Sequence, residues 1–381
     1  MPRAGLTTTA LGAGLPQRVV LGLLIRSFPP AQVDELLDVL GRREQRQRLL
    51  PARLMVYFTL GMWIFGALSY EEVLAEIVRA VPGLTLPAGT ETATAAAIGR
   101  ARRRLGVEPL RLLFEQAAGH GAPSGPDPLL PGGWPSLRLC RIAVEVPDTL
   151  ANRIEFAARP LEAAAPGAPR VYLSLLIDDH SHRIMAASVS GGTDWARDRR
   201  IAATMAPGAL VLMDERPFST ALWTAVRDRG SEQLWPVADP ASFPVHQRLP
   251  DGSGLSRLPG AALPAAARDV RVVERSGPGE GGGNGTSARA DARLVTSILD
   301  HRAAPAERLG AVFERYRTSG YGFEGISAYQ GGNRIVLRSK SPDLVCQELY
   351  AMLCVHQAIG ELVDATMYEA APPARVAEEA R

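Results

Sequence analysis

Lysine is almost absent from this chain: Lys340 is its single lysine, and the rest of its 42 basic residues are arginine. With 37 Gly, 30 Pro and abundant Ala, that bias reads as the codon usage of a GC-rich genome. An arginine cluster here therefore says less about phosphate binding than usual, although a guanidinium still forks onto a phosphate. Cysteine is scarce too. Cys140, Cys346 and Cys354 are odd in number and lack metal-ligand spacing, which excludes a disulfide scaffold and fits a reducing cytoplasm. An excess of one charge is missing: 42 basic against 40 acidic residues gives a net +2, too little to imply a nucleic-acid partner alone. Long apolar runs are missing as well. The stretch Leu54–Leu68 falls short of the roughly 20 residues that span a bilayer and reads as a buried helix. The N-terminal MPRAGLTTTALGAGLP has no charged-then-apolar signal pattern. These absences argue against secretion and a membrane partner and point to the cytoplasm.

What is present is a globular composition, 46% hydrophobic and 22% charged over 381 residues, enough for two or three domains. Residues 16–120 carry helical apolar stripes at Val19–Ile25, Val33–Leu40, Leu54–Leu68, Ala95–Leu105 and Leu110–Ala118. Ser69 followed by Glu72 predicts a capping-box start for a further helix. The Pro/Gly-rich GAPSGPDPLLPGG at 121–133 reads as a linker. Beyond it the period shortens, predicting strands at Leu137–Val146, Val171–Ile177, Ile184–Val189 and Ala209–Met213. Three strands, a helical piece and a fourth strand match the order of a ribonuclease-H-like sheet. Gln233–Val237, Val270–Glu274 and Arg293–Leu299 add strand candidates, and the Gly-rich Ser276–Ser287 reads as a mobile loop. Helical periodicity returns at Ala304–Phe323 and Asp343–Ala365. The expectation is an α+β chain: a helical N-terminal domain at 1–120, and a ribonuclease-H-like mixed sheet with helices at 134–213 and 304–366. An inserted β subdomain occupies 214–303, and a flexible tail 367–381.

Several stretches resemble one family. LPQRVVLGLLIRSFPPAQVDELLD, GRREQRQRLLPARLMVYFTLGMWIF and LSYEEVLAEIV are similar to the N-terminal domain of insertion-sequence-four transposases. VEVPDTLAN (144–152) and VLMDERPFSTALW (211–223) resemble the segments around that family's first two catalytic aspartates. NRIVLRSKSPDLVCQELYAMLCVHQAIGELV (333–363) resembles its last helix and the basic lead-in. The resemblance implies cut-and-paste DNA transposition by an Asp-Asp-Glu triad holding two divalent ions about 4 Å apart.

Matched residue by residue, only the second aspartate survives, as Asp214. Counting back from Glu145 puts Cys140, followed by Arg141, at the first. Counting back from Val336 puts Phe313, Tyr316, Gly320 and Ser327 where the family has Tyr, Arg, Glu and Lys, and Glu215 and Arg216 replace Arg and Gly. Glu324, one helical turn past Gly320, is shifted by about 5 Å and leaves Cys140 uncorrected. One carboxylate does not bind two hard ions, so a working transposase is not expected, and Mg²⁺ is expected only if the acidic site is intact after all.

The candidate site residues follow. Asp214 reads as a relic metal ligand and catalytic acid, or as a strand-end acid held by hydrogen bonds. Cys140 reads as a nucleophile in the vacated cleft, or as a small buried hydrophobe. Asp178, Asp179, His180, Ser181 and His182 fall in a hairpin turn at the opposite sheet end from Asp214. Arg42 and Arg43, with Arg46 and Arg48, are phosphate-contact candidates or a solvated helix face, as are Arg100, Arg102, Arg103 and Arg104. Arg334, Arg338 and Lys340 form the best-preserved basic run and are assigned to DNA. His356, amid Leu353, Val355 and Ile359, reads as a core histidine. The leading reading is a transposase-derived protein without strand transfer that keeps DNA binding. The alternative is a small-molecule enzyme in the old cleft; an active transposase ranks last.

Overall fold

The computed structural model describes residues 17–44, 46, 48–81, 90–119, 123–156, 169–191, 196–214, 217–237, 239–258, 269–274, 293–318, 335 and 337–370. Ser276–Ser287, Arg334, Glu215, Arg216, and the positions Gly320, Glu324 and Ser327 lie outside them.

The N-terminal part is helical: α1 (Gln17–Ser27), α2 (Pro30–Val39), α3 (Ala52–Ile64), α4 (Tyr70–Ala80), α5 (Ala95–Leu105) and α6 (Glu108–Gly119). Helix α3 is apolar all round and buried along nearly its whole length, as such a helix must be. Its neighbour α4 starts at the expected capping box. Glu72 N–H donates to Ser69 Oγ at 3.3 Å, and Ser69 N–H donates to Glu72 Oε2 at 2.7 Å. Gly61 of α3 lets α4 approach closely, because a Cβ there would stand 2.6 Å from Ile77 Cδ1.

Alternation then takes over. The strands are β1 (Ser136–Glu145), β2 (Arg170–Asp178), β3 (Ile184–Gly191), β4 (Leu210–Met213), β5 (Glu232–Val237), β6 (Gln247–Arg248), β7 (Gly254–Arg257), β8 (Asp269–Val273) and β9 (Arg293–Thr296). Between them run α7 (Leu150–Phe156), α8 (Ala196–Thr204) and α9 (Thr220–Arg227), and after them α10 (Ala306–Thr318) and α11 (Pro342–Ala370). The described strands form one nine-stranded sheet in the order β3-β2-β1-β4-β5-β9-β8-β7-β6. Strands β1, β2 and β3 are antiparallel neighbours, β4 and β5 run parallel to β1, and β9 returns antiparallel to β5. The strand candidates between 214 and 303 thus extend the same sheet instead of building a separate one.

One sheet face buries Leu137, Leu139, Val211 and Met213 under α8 and α9. The other buries Leu210 and Leu212 under α10, through Leu309, Val312 and Phe313. Toward β2 and β3 that second face merges into a core shared by helices α1–α6 and by Val345, Leu349 and Leu353 of α11. Trp63 of α3 fixes this union by donating from Nε1 to the Glu348 carbonyl at 2.6 Å. The start of α10 is held. Its first N–H, at Ala306, donates to Asp251 Oδ2 at 2.9 Å, while buried Arg271 donates to the carbonyls of Ile298 (3.3 Å) and Ala304.

Candidate functional site

Strand pairing brings Cys140 and Asp214 together. Parallel register aligns Leu139 of β1 with Met213 of β4, so the next residue on each strand is Cys140 and Asp214. Asp214 N–H donates to the Leu139 carbonyl at 3.4 Å, and Arg141 N–H donates to Asp214 Oδ2 at 2.8 Å. Alternation decides the face. Leu139 and Met213 point toward α8 and α9, whereas Cys140 packs beside the shared helical core and Leu212 points toward α10. Cys140 and Asp214 therefore stand as neighbours on the α10 side of the sheet. Cys140 is half-buried. Arg141 turns to the opposite face, its guanidinium carbon 5.7 Å from the Tyr172 ring centre.

The same face carries a second constellation, nearer the start of β1. Arg138, the residue before Cys140 on this face, donates from Nε to Asp179 Oδ1 at 2.8 Å and has its guanidinium 4.7 Å from the Tyr316 ring centre of α10. Arg315 of α10 forks onto Asp127, with Nη1 to Oδ1 at 3.1 Å, and also reaches Asp179 Oδ2 at 2.9 Å. Asp127 keeps further donors in Ser136 Oγ (2.5 Å) and Leu129 N–H (2.9 Å). Burial pushes its carboxyl up, but Arg315, Ser136 and Leu129 together hold it below the ordinary range. A cavity of about 370 Å³ opens here between residues 124–128, Ser136, Arg138, the β2–β3 turn and Arg315. Neither Cys140 nor Asp214 lines it.

The expected turn between β2 and β3 is present, and its residues are structural acceptors and donors. Asp178 accepts from the N–H groups of Ser124 (2.5 Å), His180 (3.0 Å) and Ser181 (2.9 Å). Those donors outweigh burial and hold its carboxyl below the ordinary range. His182 sits in the left-handed region at φ 62. Burial first, then the Arg138 charge, push its ring down to about 4, and burial pushes His356 down to about 4 as well. Among the described residues no group of three or more His, Cys, Asp or Glu side chains could hold a metal ion.

The arginine candidates separate by burial. Arg102 is buried, donating to Gln347 Oε1 (2.9 Å), the Tyr70 hydroxyl (3.1 Å) and Ser339 Oγ (3.1 Å). Arg338 donates to the Leu68 carbonyl at 2.8 Å and lies over Tyr70, and its own N–H donates to Glu348 Oε1 at 3.0 Å. Lys340 is exposed, its carbonyl taken by Thr149 Oγ1 at 3.0 Å. The other arginines form one surface. Arg42 Nη1 donates to the Arg104 carbonyl at 3.1 Å, joining the loop after α2 to the end of α5. Exposed Arg46, Arg48, Arg100 and Arg103 lie on the same two segments. Acids temper it: Arg43 pairs with Asp38 at 2.6 Å, and Arg104 lies 3.7 Å from Glu44. Sequence distance hid this juxtaposition, which rests on the Arg42–Arg104 hydrogen bond. The acid-paired network around Asp127 and Arg315 was also missed, since no motif marks it.

Comparison with known proteins gives three findings. Residues 18–115 match the family described as insertion element 4 transposase N-terminal. The chain is 27% identical over 350 residues to the transposase InsG of insertion sequence element IS4 from Escherichia coli (strain K12). That match covers 87% of this chain and 74% of the relative. A cryo-EM structure of the piggyBac transposase synaptic complex with hairpin DNA aligns with a TM-score of 0.46 and 10% identity, over 92% of this chain and 76% of the other.

Proposed function

The chain belongs with the insertion-sequence-four transposases, and on that premise we propose that it is a transposase-derived DNA-binding protein that has lost strand transfer. The observation that carries the reading is the register: one residue past the Leu139–Met213 pair, the position across from Asp214 is Cys140, and the Asp214 carboxylate accepts from the N–H of Arg141. In-line attack at phosphorus needs two divalent ions bridged by carboxylates. Mg²⁺ takes hard oxygen ligands in near-octahedral geometry, and a thiol is a soft one. The donor set does not fit a two-metal centre. The third acid's matched position carries Gly320.

The scaffold suits this descent. The order β3-β2-β1-β4-β5, with β4 and β5 parallel to β1, supports a ribonuclease-H-like core drawn from residues 134–213 and 304–366, to which β5 is added. The helical segment 1–120 precedes it, and the remainder of 214–303 is the insertion.

The arginine surface of Arg42, Arg46, Arg48, Arg100 and Arg103 supports duplex DNA as the partner, through phosphates, with Lys340 as a separate exposed cation. Arg338 belongs to the DNA face only through its neighbours, because its guanidinium is spent on Leu68 and Tyr70. A gel-shift against the protein's own insertion ends, across a salt series, tests the reading. Log affinity should fall linearly with log salt, and Arg46→Ala or Arg103→Ala should each flatten the slope by about 1. Absence of salt-sensitive binding at low ionic strength would sink DNA binding. Nicking of end-containing DNA with Mg²⁺ or Mn²⁺ would sink the loss of catalysis. The alternative, a small-molecule enzyme in the old cleft, gains no support from the cavity beside Asp127, which lies apart from Cys140 and Asp214.

A further inference from the structure

We propose that Glu44 locks the arginine-bearing loop after α2 in the form that meets DNA, so that this acid strengthens a binding that its charge opposes. The proposal rests on the DNA-binding reading above and adds a positioning residue to it.

An acid inside the run GRREQRQR is out of place on a surface for phosphates, and charge counting makes it a defect. Its contacts give it another role. Helix α3 starts after Pro51, which offers no side-chain cap, and its first turn holds no acid. The first N–H groups of a helix have no partner within it. Glu44 supplies one from outside: Ala52 N–H donates to Glu44 Oε1 at 2.9 Å and to Oε2 at 3.0 Å. A carboxylate there also meets the positive end of the helix dipole. The Glu44 side chain is 13% exposed, and Arg104 Nη2 of α5 stands 3.7 Å from Oε1.

The same loop is tied on both sides of its exposed cations. Upstream, Gly41 at φ 61 turns the chain out of α2, Arg42 N–H donates to the Leu37 carbonyl at 2.8 Å, and Arg42 Nη1 donates to the Arg104 carbonyl at 3.1 Å. Downstream, the Leu49 carbonyl accepts from Thr90 Oγ1 at 3.0 Å, and the Leu50 carbonyl accepts from Arg104 Nη2 at 2.5 Å. Arg46 and Arg48 are exposed between Glu44 and Leu49. A loop ordered before contact does not charge its ordering against affinity. Among these ties Glu44 is the acid, so its removal frees the loop while raising the net charge by one. The two effects act on DNA in opposite directions, and the sign of the change separates them.

Two measurements on the full chain test the lock: gel-shift titration against a duplex of its own insertion ends, and native-state hydrogen exchange without DNA. Glu44→Ala should bind about tenfold more weakly, as the ordering cost returns to the binding step. Its salt slope should match the wild type, because no phosphate contact is removed. Glu44→Gln, which keeps one acceptor for Ala52 N–H, should fall between. Without DNA, the Ala52 amide of Glu44→Ala should exchange faster, with the most protected amides of α11 unchanged. Binding by Glu44→Ala as tight as the wild type, or tighter, overturns the proposal and leaves Glu44 a charge that opposes DNA. So does an unchanged Ala52 rate, or a rise shared by α11, which makes Glu44 a residue of overall stability. If the wild type itself shows no salt-sensitive binding, the DNA reading falls, and the exchange rates still decide whether Glu44 locks the loop.

Discussion

Arg102 and Arg103 are adjacent in the chain and differ in every physical respect. Helical spacing puts Arg102 on the stripe of Ile98, Ala101 and Leu105, where it is buried and donates to Gln347, Tyr70 and Ser339; Arg103 is exposed. Arg102→Ala leaves buried acceptors unpaired and should cost about 3 kcal/mol in urea unfolding. Arg103→Ala should stay within about 0.5 kcal/mol and act only on DNA affinity. Equal stability losses would refute the assignment. The sequence carried this distinction in its periodicity, yet a run of arginines reads as one patch until the stripe is drawn through it. His182 gives a pH signature at the same scale. Its ring is held at about 4 against an ordinary 6.5, chiefly by burial. A depressed histidine binds its proton more readily when unfolded, so its stability contribution is whole above 6.5 and is lost as pH falls toward 4. His356 acts in the same direction, while Asp127 and Asp178, held below 3.8, lose their contributions only at lower pH. The thermal midpoint should fall between pH 6.5 and 4, less steeply in His182→Asn, a residue that tolerates the left-handed φ. Identical slopes would remove His182 from the account.

At the scale of elements, α3 and α4 show how one missing side chain sets an approach. Gly61 admits Ile77, and Gly61→Leu should destabilise by about 2 kcal/mol through overpacking, with partial recovery on adding Ile77→Ala. No loss of stability, or no recovery, would mean that α4 is held elsewhere. Most long elements were legible: the capping box placed α4, and alternation placed β1, β2, β3, β4, β5, β8 and β9 within a residue or a few at each end. The short ones were not. Strand β6 is the pair Gln247–Arg248, and β7 is Gly254–Arg257, too brief for any period to register. Helix α3 stops at Ile64, although the apolar run continues to Leu68, because burial and not helix length set that composition. The Cys140–Asp214 neighbourhood was half legible. Counting residues named both positions, but only the β1–β4 register puts them side by side.

For the whole molecule, the decisive feature is where the apolar core runs. Helices α1–α6, strands β1–β3 and helix α11 contribute to one cluster, although α6 and α11 are separated by the entire sheet in sequence. Linker composition at 121–133 suggested a seam there; the packing crosses it, and Trp63 to Glu348, Arg102 to Gln347 and Arg183 to Ala117 are polar ties across it. A helical segment that buries its face on α11 cannot expose that face at the small cost of opening a hinge, because the apolar area lost is worth roughly 25 cal/mol per Å². Native-state hydrogen exchange should therefore give the most protected amides of α3 and those of α11 the same opening free energy, with the same dependence on urea. If α3 opens first, at lower urea, while α11 stays closed, the helical part is an independent unit. DNA binding through its arginines would then be separable from the sheet. If the two open together, any force on the arginine surface reaches the strand that carries Cys140 through one continuous core, and Asp214 only across the β1–β4 pairing.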